Sequence, residues 1–270
     1  MIAKFLIDNN TKNELTPEWG LSVWIESDGH KFLLDIGASD KFASNAASLG
    51  IDISQAEFGV LSHAHYDHSD GMAAFFEKNK TAPFYLRKSS AENCYSRQRI
   101  LYRYIGIKRG YLKEFQDRIR YVEGDYEILP GVTLIPHKTL NMEALGKKAG
   151  MYVKKGWRWL PDSFSHEQSL VVDTKQGLVV FNSCSHGGAD NIIMEAKKTW
   201  PEKRICCLVG GLHLFRSSDE EVRALAARVR ETGIEKIYTG HCTGKRAMEL
   251  LKEELGDRVE ALYTGLEIEI

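Results

Sequence analysis

Short apolar runs alternate along the chain with polar turns and amphipathic stretches. Residues 21–26 and 31–35, around the turn Ser27-Asp28-Gly29-His30, predict a hairpin. Residues 42–49 predict a short helix ended by Gly50. The run 58–61 reads as a buried strand. Residues 71–79, with Met72, Phe75 and Phe76 at helical spacing, predict a helix with Asp70 near its start. Further strands are expected at 131–135, 170–173, 178–181, 205–209 and 236–238, and helices at 190–199, 219–231 and 245–254. Strands joined partly through helices and partly by hairpins predict a mixed α/β sandwich rather than a wholly parallel sheet.

Composition changes this picture little. The 270 residues are 43% hydrophobic and 27% charged, as in ordinary globular chains, and the formal charge of -1 gives no global pull toward nucleic acid. The opening MIAKFLIDNN is too short in apolar residues for a signal-peptide core. No segment approaches the roughly 18 continuous apolar residues of a membrane span, so no membrane association is expected. Five cysteines, Cys206 and Cys207 adjacent, do not form a disulfide framework, which points to a reducing, cytoplasmic setting.

The chemistry concentrates in SHAHYDHSDG, residues 62–71, directly behind the strand predicted at 58–61. In an extended segment His63, His65 and Asp67 share a face, with His68 turning in beside them. Imidazole and carboxylate together suit zinc, iron or manganese, held at about 2.0–2.2 Å. A solvated polar turn does not account for four ligand-type residues packed so closely behind a buried strand.

The H-x-H-x-D-H pattern after an apolar strand resembles the signature of the metallo-β-lactamase superfamily. The likeness continues through KFLLDIG (31–37), FNSCSHGG (181–188) and YTGHCTG (238–244). With GGLHL (210–214), these segments are most similar to the dihydropterin ribofuranosylaminobenzene phosphate synthase-like branch. The resemblance implies one domain over 1–270 with a four-layer αββα sandwich, two mixed sheets flanked by helices. It implies one metal held by His63, His65 and His186 and a second by Asp67, His68 and His241. One or two divalent ions are expected, zinc first, with iron or manganese admitted.

The chain departs from the pattern in places. Asn182-Ser183-Cys184 stands where many members place a bridging aspartate, which implies a weaker second ion. Cys184 reads either as a soft ligand or as a buried small residue. His166 replaces an acidic residue before Glu167-Gln168 and is expected at the surface, ahead of a ligand or supporting role. Gly210 and Gly211 are expected to offer amides to an anion, with His213 in the pocket. Asp35 is expected to orient a histidine or to cap a helix.

Residues 85–165 differ in character. Arg97, Arg99, Arg103, Lys108, Arg109 and Lys113 are interleaved with Tyr95, Tyr102, Tyr104 and Tyr111; Trp157 and Trp159 follow beside Lys154, Lys155 and Arg158. Such a block fits an inserted, substrate-covering region for a small anionic molecule, phosphate-bearing with an aromatic ring. Binding of single-stranded nucleic acid is not favoured.

The expected activity is metal-dependent hydrolysis of an ester, amide or phosphoester by a metal-activated hydroxide. Asp67 would orient that hydroxide and shuttle its proton, and His213 or a tyrosine of 85–165 would donate to the leaving group. The branch resemblance implies an alternative, a synthase joining a dihydropterin pyrophosphate to an aminobenzene ribose phosphate. A non-catalytic metal-bound sensor is the remaining alternative. A flavodiiron enzyme would carry glutamate at position 65, and a ribonuclease of this superfamily would add a long further domain.

Overall fold

A computed structural model describes residues 1–270 throughout. The central strands are apolar on both faces because each is covered on both sides. In Ser22–Ser27, Val23 and Ile25 oppose Trp24; in His30–Leu34, Phe32 and Leu34 oppose Leu33; in Gly177–Phe181, Val179 and Phe181 oppose Leu178 and Val180. The first set in each strand meets the other sheet, and the second set meets helices.

One seven-stranded sheet runs Glu267–Glu269, Ile2–Ile7, Ser22–Ser27, His30–Leu34, Phe58–Val60, Phe84–Arg87, Ile119–Val122. Its pairings are antiparallel as far as His30–Leu34 and parallel beyond. The other runs Val259–Ala261, Lys236–Thr239, Ile205–Val209, Gly177–Phe181, Gln168–Thr174, Val132–Pro136, Tyr126–Leu129. Here the first four strands are parallel and the rest antiparallel.

Between the sheets lies a core containing Phe5, Phe32, Phe58, Leu134, Val172 and Phe181. Helices Lys41–Ser48 and Met72–Lys78 bury Phe42, Met72 and Phe75 on the outer face of the first sheet. Helices Ala189–Thr199, Asp219–Glu231 and Lys245–Leu255 bury Ile192, Leu225 and Leu250 on the second. This is the expected αββα sandwich. Truncating one of the fully buried phenylalanines to alanine costs about 3–5 kcal/mol, a large part of a domain's net stability.

A third sheet, Arg158–Pro161, Met151–Lys155, Cys94–Gln98, Leu101–Tyr104, stands apart with helix Met142–Ala149 beside it. Residues 85–165 therefore contribute to all three sheets. On the small sheet the interleaved aromatics engage one another: Tyr102 and Trp159 stack at 3.9 Å between ring centroids, and Tyr95 meets Trp159 at 4.8 Å. Lys154 lies over Trp159 and Arg97 over Tyr102.

Two local expectations fail. Asp70 does not cap helix Met72–Lys78; its carboxylate accepts from the Lys108 N–H at 3.0 Å. The segment after His65 is not extended but turns into the short helix Tyr66–Ser69, so Asp67 and His68 reach the site from a helical turn. Strand Ile2–Ile7, unrecognised in the sequence, pairs on both sides. No helix is long and apolar enough to cross a membrane.

Candidate metal centre

The carboxyl ends of the parallel strands converge on one site, as open α/β sheets generally arrange. Phe58–Val60 leads to His63 and His65, Gly177–Phe181 to Cys184 and His186, Ile205–Val209 to His213, and Lys236–Thr239 to His241. Asp35, Ser185, His213 and His241 all adopt positive φ, between 47° and 56°, which is strained for non-glycine residues and is tolerated where tertiary packing imposes it. Gly240 has a packing reason: a Cβ there would lie 2.6 Å from the Asp8 Oδ2 that accepts the His241 N–H.

The imidazoles are oriented by what holds their far nitrogens. His63 Nδ1 donates to Ser62 Oγ at 2.8 Å, and Ser62 Oγ donates to Asp35 Oδ2 at 2.7 Å. His68 Nδ1 donates to Asp35 Oδ2 at 2.8 Å, and His241 Nδ1 to Asn9 Oδ1 at 3.0 Å. His186 Nδ1 donates to Glu167 Oε2. In His63, His186 and His241 this leaves the Nε2 lone pair free, the tautomer a metal ligand needs, whereas His68 reaches it only on losing a proton.

Two ligand groups result. The Nε2 atoms of His63, His65 and His186 are buried, lie within 4.8 Å of one another, and have no hydrogen-bond partner. Three orphaned, convergent lone pairs are costly unless a cation satisfies them, so these residues fit a divalent ion. In the second group, His68 Nε2 is 3.2 Å from His241 Nε2 and 3.3 Å from Cys184 Sγ. Asp67 Oδ2 lies 3.5 Å from His241 Nε2 and 3.9 Å from His68 Nε2. Ligand atoms at the corners of a tetrahedral zinc site stand about 3.3–3.8 Å apart, so this group also fits an ion.

The two groups differ electrostatically. Burial, reinforced by neighbouring imidazoles, holds His63, His65 and His241 well below the ordinary histidine pKa. Burial acts the same way on His68, but Asp35 and Asp67 outweigh it and push that ring up to about 9. Burial raises Asp67, and also the Cys184 thiol. For Cys242, hydrogen bonds from Cys184 and the His213 N–H overcome burial and bring the thiol down to about 6.

Several supporting residues escaped the sequence reading. Glu167 accepts from His137 Nε2 at 2.8 Å as well as from His186, and His137 Nδ1 faces Glu195 Oε2 at 3.2 Å. Glu195 is fixed in turn by the N–H groups of Lys138 and Thr139 and the Thr139 hydroxyl. This buried Glu195–His137–Glu167 chain buttresses His186 from behind. Burial opposes it, yet His186 and His137 hold Glu167 well below the usual carboxylate range, and Glu167 and Glu195 push His137 up to about 10. Asp8 and Asn9 do the corresponding work for His241. The only local signal was acidic and amide residues next to strand ends; nothing in the spacing pairs 137 with 167 and 195.

Two expectations are corrected. His166 is buried, at 4% exposure. The Ala64 N–H donates to its Nδ1 at 3.2 Å, so Nε2 carries the proton, shared between Asp162 Oδ2 at 3.1 Å and Cys94 Sγ at 3.5 Å. That ring has no lone pair left for an ion and instead braces the peptide between His63 and His65. The amides of Gly210 and Gly211 are not open to an anion: they donate to Tyr238 O and Ser183 O at 2.9 and 2.8 Å. These glycines are there for close packing, since a Cβ on Gly210 would meet Asn182 O at 2.0 Å.

The two groups open into a cavity of about 440 Å³, lined by Trp19, Tyr66, Asp67, His213 and Phe215 and by the cations Arg103, Lys148, Arg216 and Arg228. The small sheet supplies Ser96, Gln98, Arg103 and Met151 to one wall. His213 lies with its ring 4.6 Å from that of His186, and its Nδ1 has no partner. Lys148 and Arg228 are paired with Glu221 and Asp190, whereas Arg103 and Arg216 make no ion pair.

Known proteins resemble this chain in sequence and fold. The metallo-β-lactamase superfamily model matches residues 15–146. A crystal structure described as a metal-dependent hydrolase of the β-lactamase superfamily is 33% identical, with a TM-score of 0.86 over 100% of this chain and 99% of that one. The 7,8-dihydropterin-6-methyl-4-(β-D-ribofuranosyl)-aminobenzene-5'-phosphate synthase of Methanocaldococcus jannaschii is 26% identical, covering 93% of this chain and 90% of the relative. A diphosphatase of the PhnP family, 14% identical with a TM-score of 0.58 over 100% of this chain and 97% of that one, shares the fold.

Proposed function

We infer, from a chain that belongs to the metallo-β-lactamase superfamily, that it is a metal-dependent hydrolase acting on an ester, amide or phosphoester of a small anionic substrate. The observation carrying this reading is the trio of buried, partnerless Nε2 atoms on His63, His65 and His186, two of whose rings, His65 and His186, line a cavity of substrate size. In this reading those three hold one ion, zinc first, and Asp67, His68, His241 and Cys184 hold a second. A divalent ion at such a site makes water reactive at neutral pH and polarises the oxygen of the group under attack.

The chain's own residues do the rest. Asp67, its carboxylate beside His241 and the cavity, orients the attacking water and accepts its proton at a carboxylate oxygen. The His213 imidazole, on the cavity wall beside His186, gives a proton to the leaving group. Arg103 and Arg216, free of carboxylate partners, attract the anionic part of the substrate, and the small sheet covers it. Trp19 and Phe215, 5.4 Å apart at the rim, offer faces to a planar ring.

A pterin-type transfer is the second reading, favoured by similarity to the archaeal synthase across nearly the whole chain. The test loads the purified protein with zinc, manganese or ferrous ion and measures turnover on aryl phosphates, phosphodiesters and lactones. In parallel, it is offered a dihydropterin pyrophosphate with an aminobenzene ribose phosphate. Hydrolysis that requires metal and is lost in His63→Ala supports the first reading. Turnover only in the two-substrate assay replaces it with the second, and metal bound with no turnover in either leaves a sensing module.

A further inference from the structure

We propose that Cys184 and Cys242 are a redox-modification site: they form a reversible disulfide that withdraws a sulfur from the second ligand group. Cys184 lies in the turn after strand Gly177–Phe181, and Cys242 in the turn His241–Thr243 after the strand Lys236–Thr239. Fifty-eight positions apart in sequence, their Sγ atoms stand 3.4 Å from each other. A disulfide needs them at about 2.05 Å, so the two sulfurs must close by roughly 1.4 Å. Both residues line the cavity, so a small oxidant reaches them without unfolding the sheet.

The environment gives the pair a consequence. Cys184 Sγ is 3.3 Å from His68 Nε2, on the side facing the second ligand group. Cys242 Sγ accepts the His213 N–H at 3.3 Å and stands beside Cys184, in line to capture it. With a hydroperoxide as oxidant, one sulfur attacks the O–O bond, giving a sulfenic acid and releasing water or an alcohol. The other sulfur then displaces the sulfenic hydroxyl as water, closing the S–S bond. The two sulfurs together lose two electrons, the peroxide gains them, and the thiol protons leave in the products. A thiol reductant reverses the step by exchange. The effect on the metal rests on Cys184 acting as a ligand in the proposed function; formation of the disulfide does not.

Tryptic mapping separates the outcomes, because Cys184, Cys242, the Cys206-Cys207 pair and Cys94 fall on different peptides, 176–197, 237–245, 205–216 and 89–97. The full-length protein, with and without added zinc, is treated with hydrogen peroxide, alkylated and digested. Peptides 176–197 and 237–245 should appear linked and two hydrogens lighter, faster in the chelator-treated protein, and separate again with dithiothreitol. Zinc capacity should fall by one ion per chain on oxidation and return on reduction. The linked species should be missing from Cys242→Ser. Unlinked peptides with Cys184 carried to sulfinic acid overturn the proposal. Linkage with unchanged zinc capacity overturns the withdrawal of a ligand, and does so whatever substrate assays have shown.

Discussion

The two ligand groups lie side by side yet are built differently. The group of His63, His65 and His186 is all imidazole, with three unpartnered lone pairs and, behind His186, a carboxylate–histidine–carboxylate chain running to helix Ala189–Thr199. The group of Asp67, His68, His241 and Cys184 mixes carboxylate, imidazole and thiol, and its atoms already contact one another at 3.2–3.9 Å. The first has no protein partner for any of its three Nε2 atoms. In the second, His68 raised to about 9 keeps a proton that serves in an ion's place. Preorganisation therefore favours the first position, and the second is the conditional one.

The largest effect should come from His63→Ala. It should remove one ion per chain by elemental analysis and cut metal-dependent turnover on the order of 10³-fold, the equivalent of roughly 4 kcal/mol of transition-state stabilisation. Retention of both ions would erase the distinction between the groups. Next, Glu167→Gln and Asp35→Asn should separate them. Loss of a carboxylate behind a ligating histidine weakens metal affinity about 10–100-fold. Glu167→Gln should act on the first ion only, Asp35→Asn mainly on the second, and competition with a chromophoric chelator measures both.

A pH series sharpens the contrast further. Entry of an ion at the second position must displace the His68 proton, so its affinity should climb about tenfold per pH unit from about 6.5 to about 9. Affinity at the first position should be flat there, because His63 and His65 are already neutral. The same raised pKa stabilises the metal-free fold below pH 6.5 and is lost as pH rises toward 9, whereas the lowered His63 and His65 values destabilise it as pH falls below 6.5. Proton release per ion, by calorimetry in two buffers, reads the difference directly; equal release at both positions would refute it. The smallest effect is expected of Asn9→Ala, which removes a neutral acceptor from His241 and should weaken the second ion only a few-fold, about 1 kcal/mol.

Much of this was legible locally. The apolar runs flanking the turn Ser27-Asp28-Gly29-His30 and the helical spacing of Met72, Phe75 and Phe76 located elements closely, because such patterns are properties of the turn, strand or helix itself. The cluster at 62–68 was legible because ligand types were dense. Strand Ile2–Ile7 was not, since Lys4 interrupts its apolar run and its partners lie at opposite ends of the chain. His166 was misplaced because polarity suggests the surface, while Asp162 and the Ala64 amide bury it at a cost in solvation they repay with hydrogen bonds.

The sequence by itself determined the layered α/β architecture and the dense run of imidazole and carboxylate at 63–68, both written in short-range periodicity and residue type. Only the tertiary structure decided which nitrogen of each histidine faces the centre, that Glu195 and His137 stand behind His186, and that Cys184 meets Cys242. Those facts depend on strand ends from distant parts of the chain arriving at one place. Hydrogen bonds between side chains more than fifty positions apart leave no period to read.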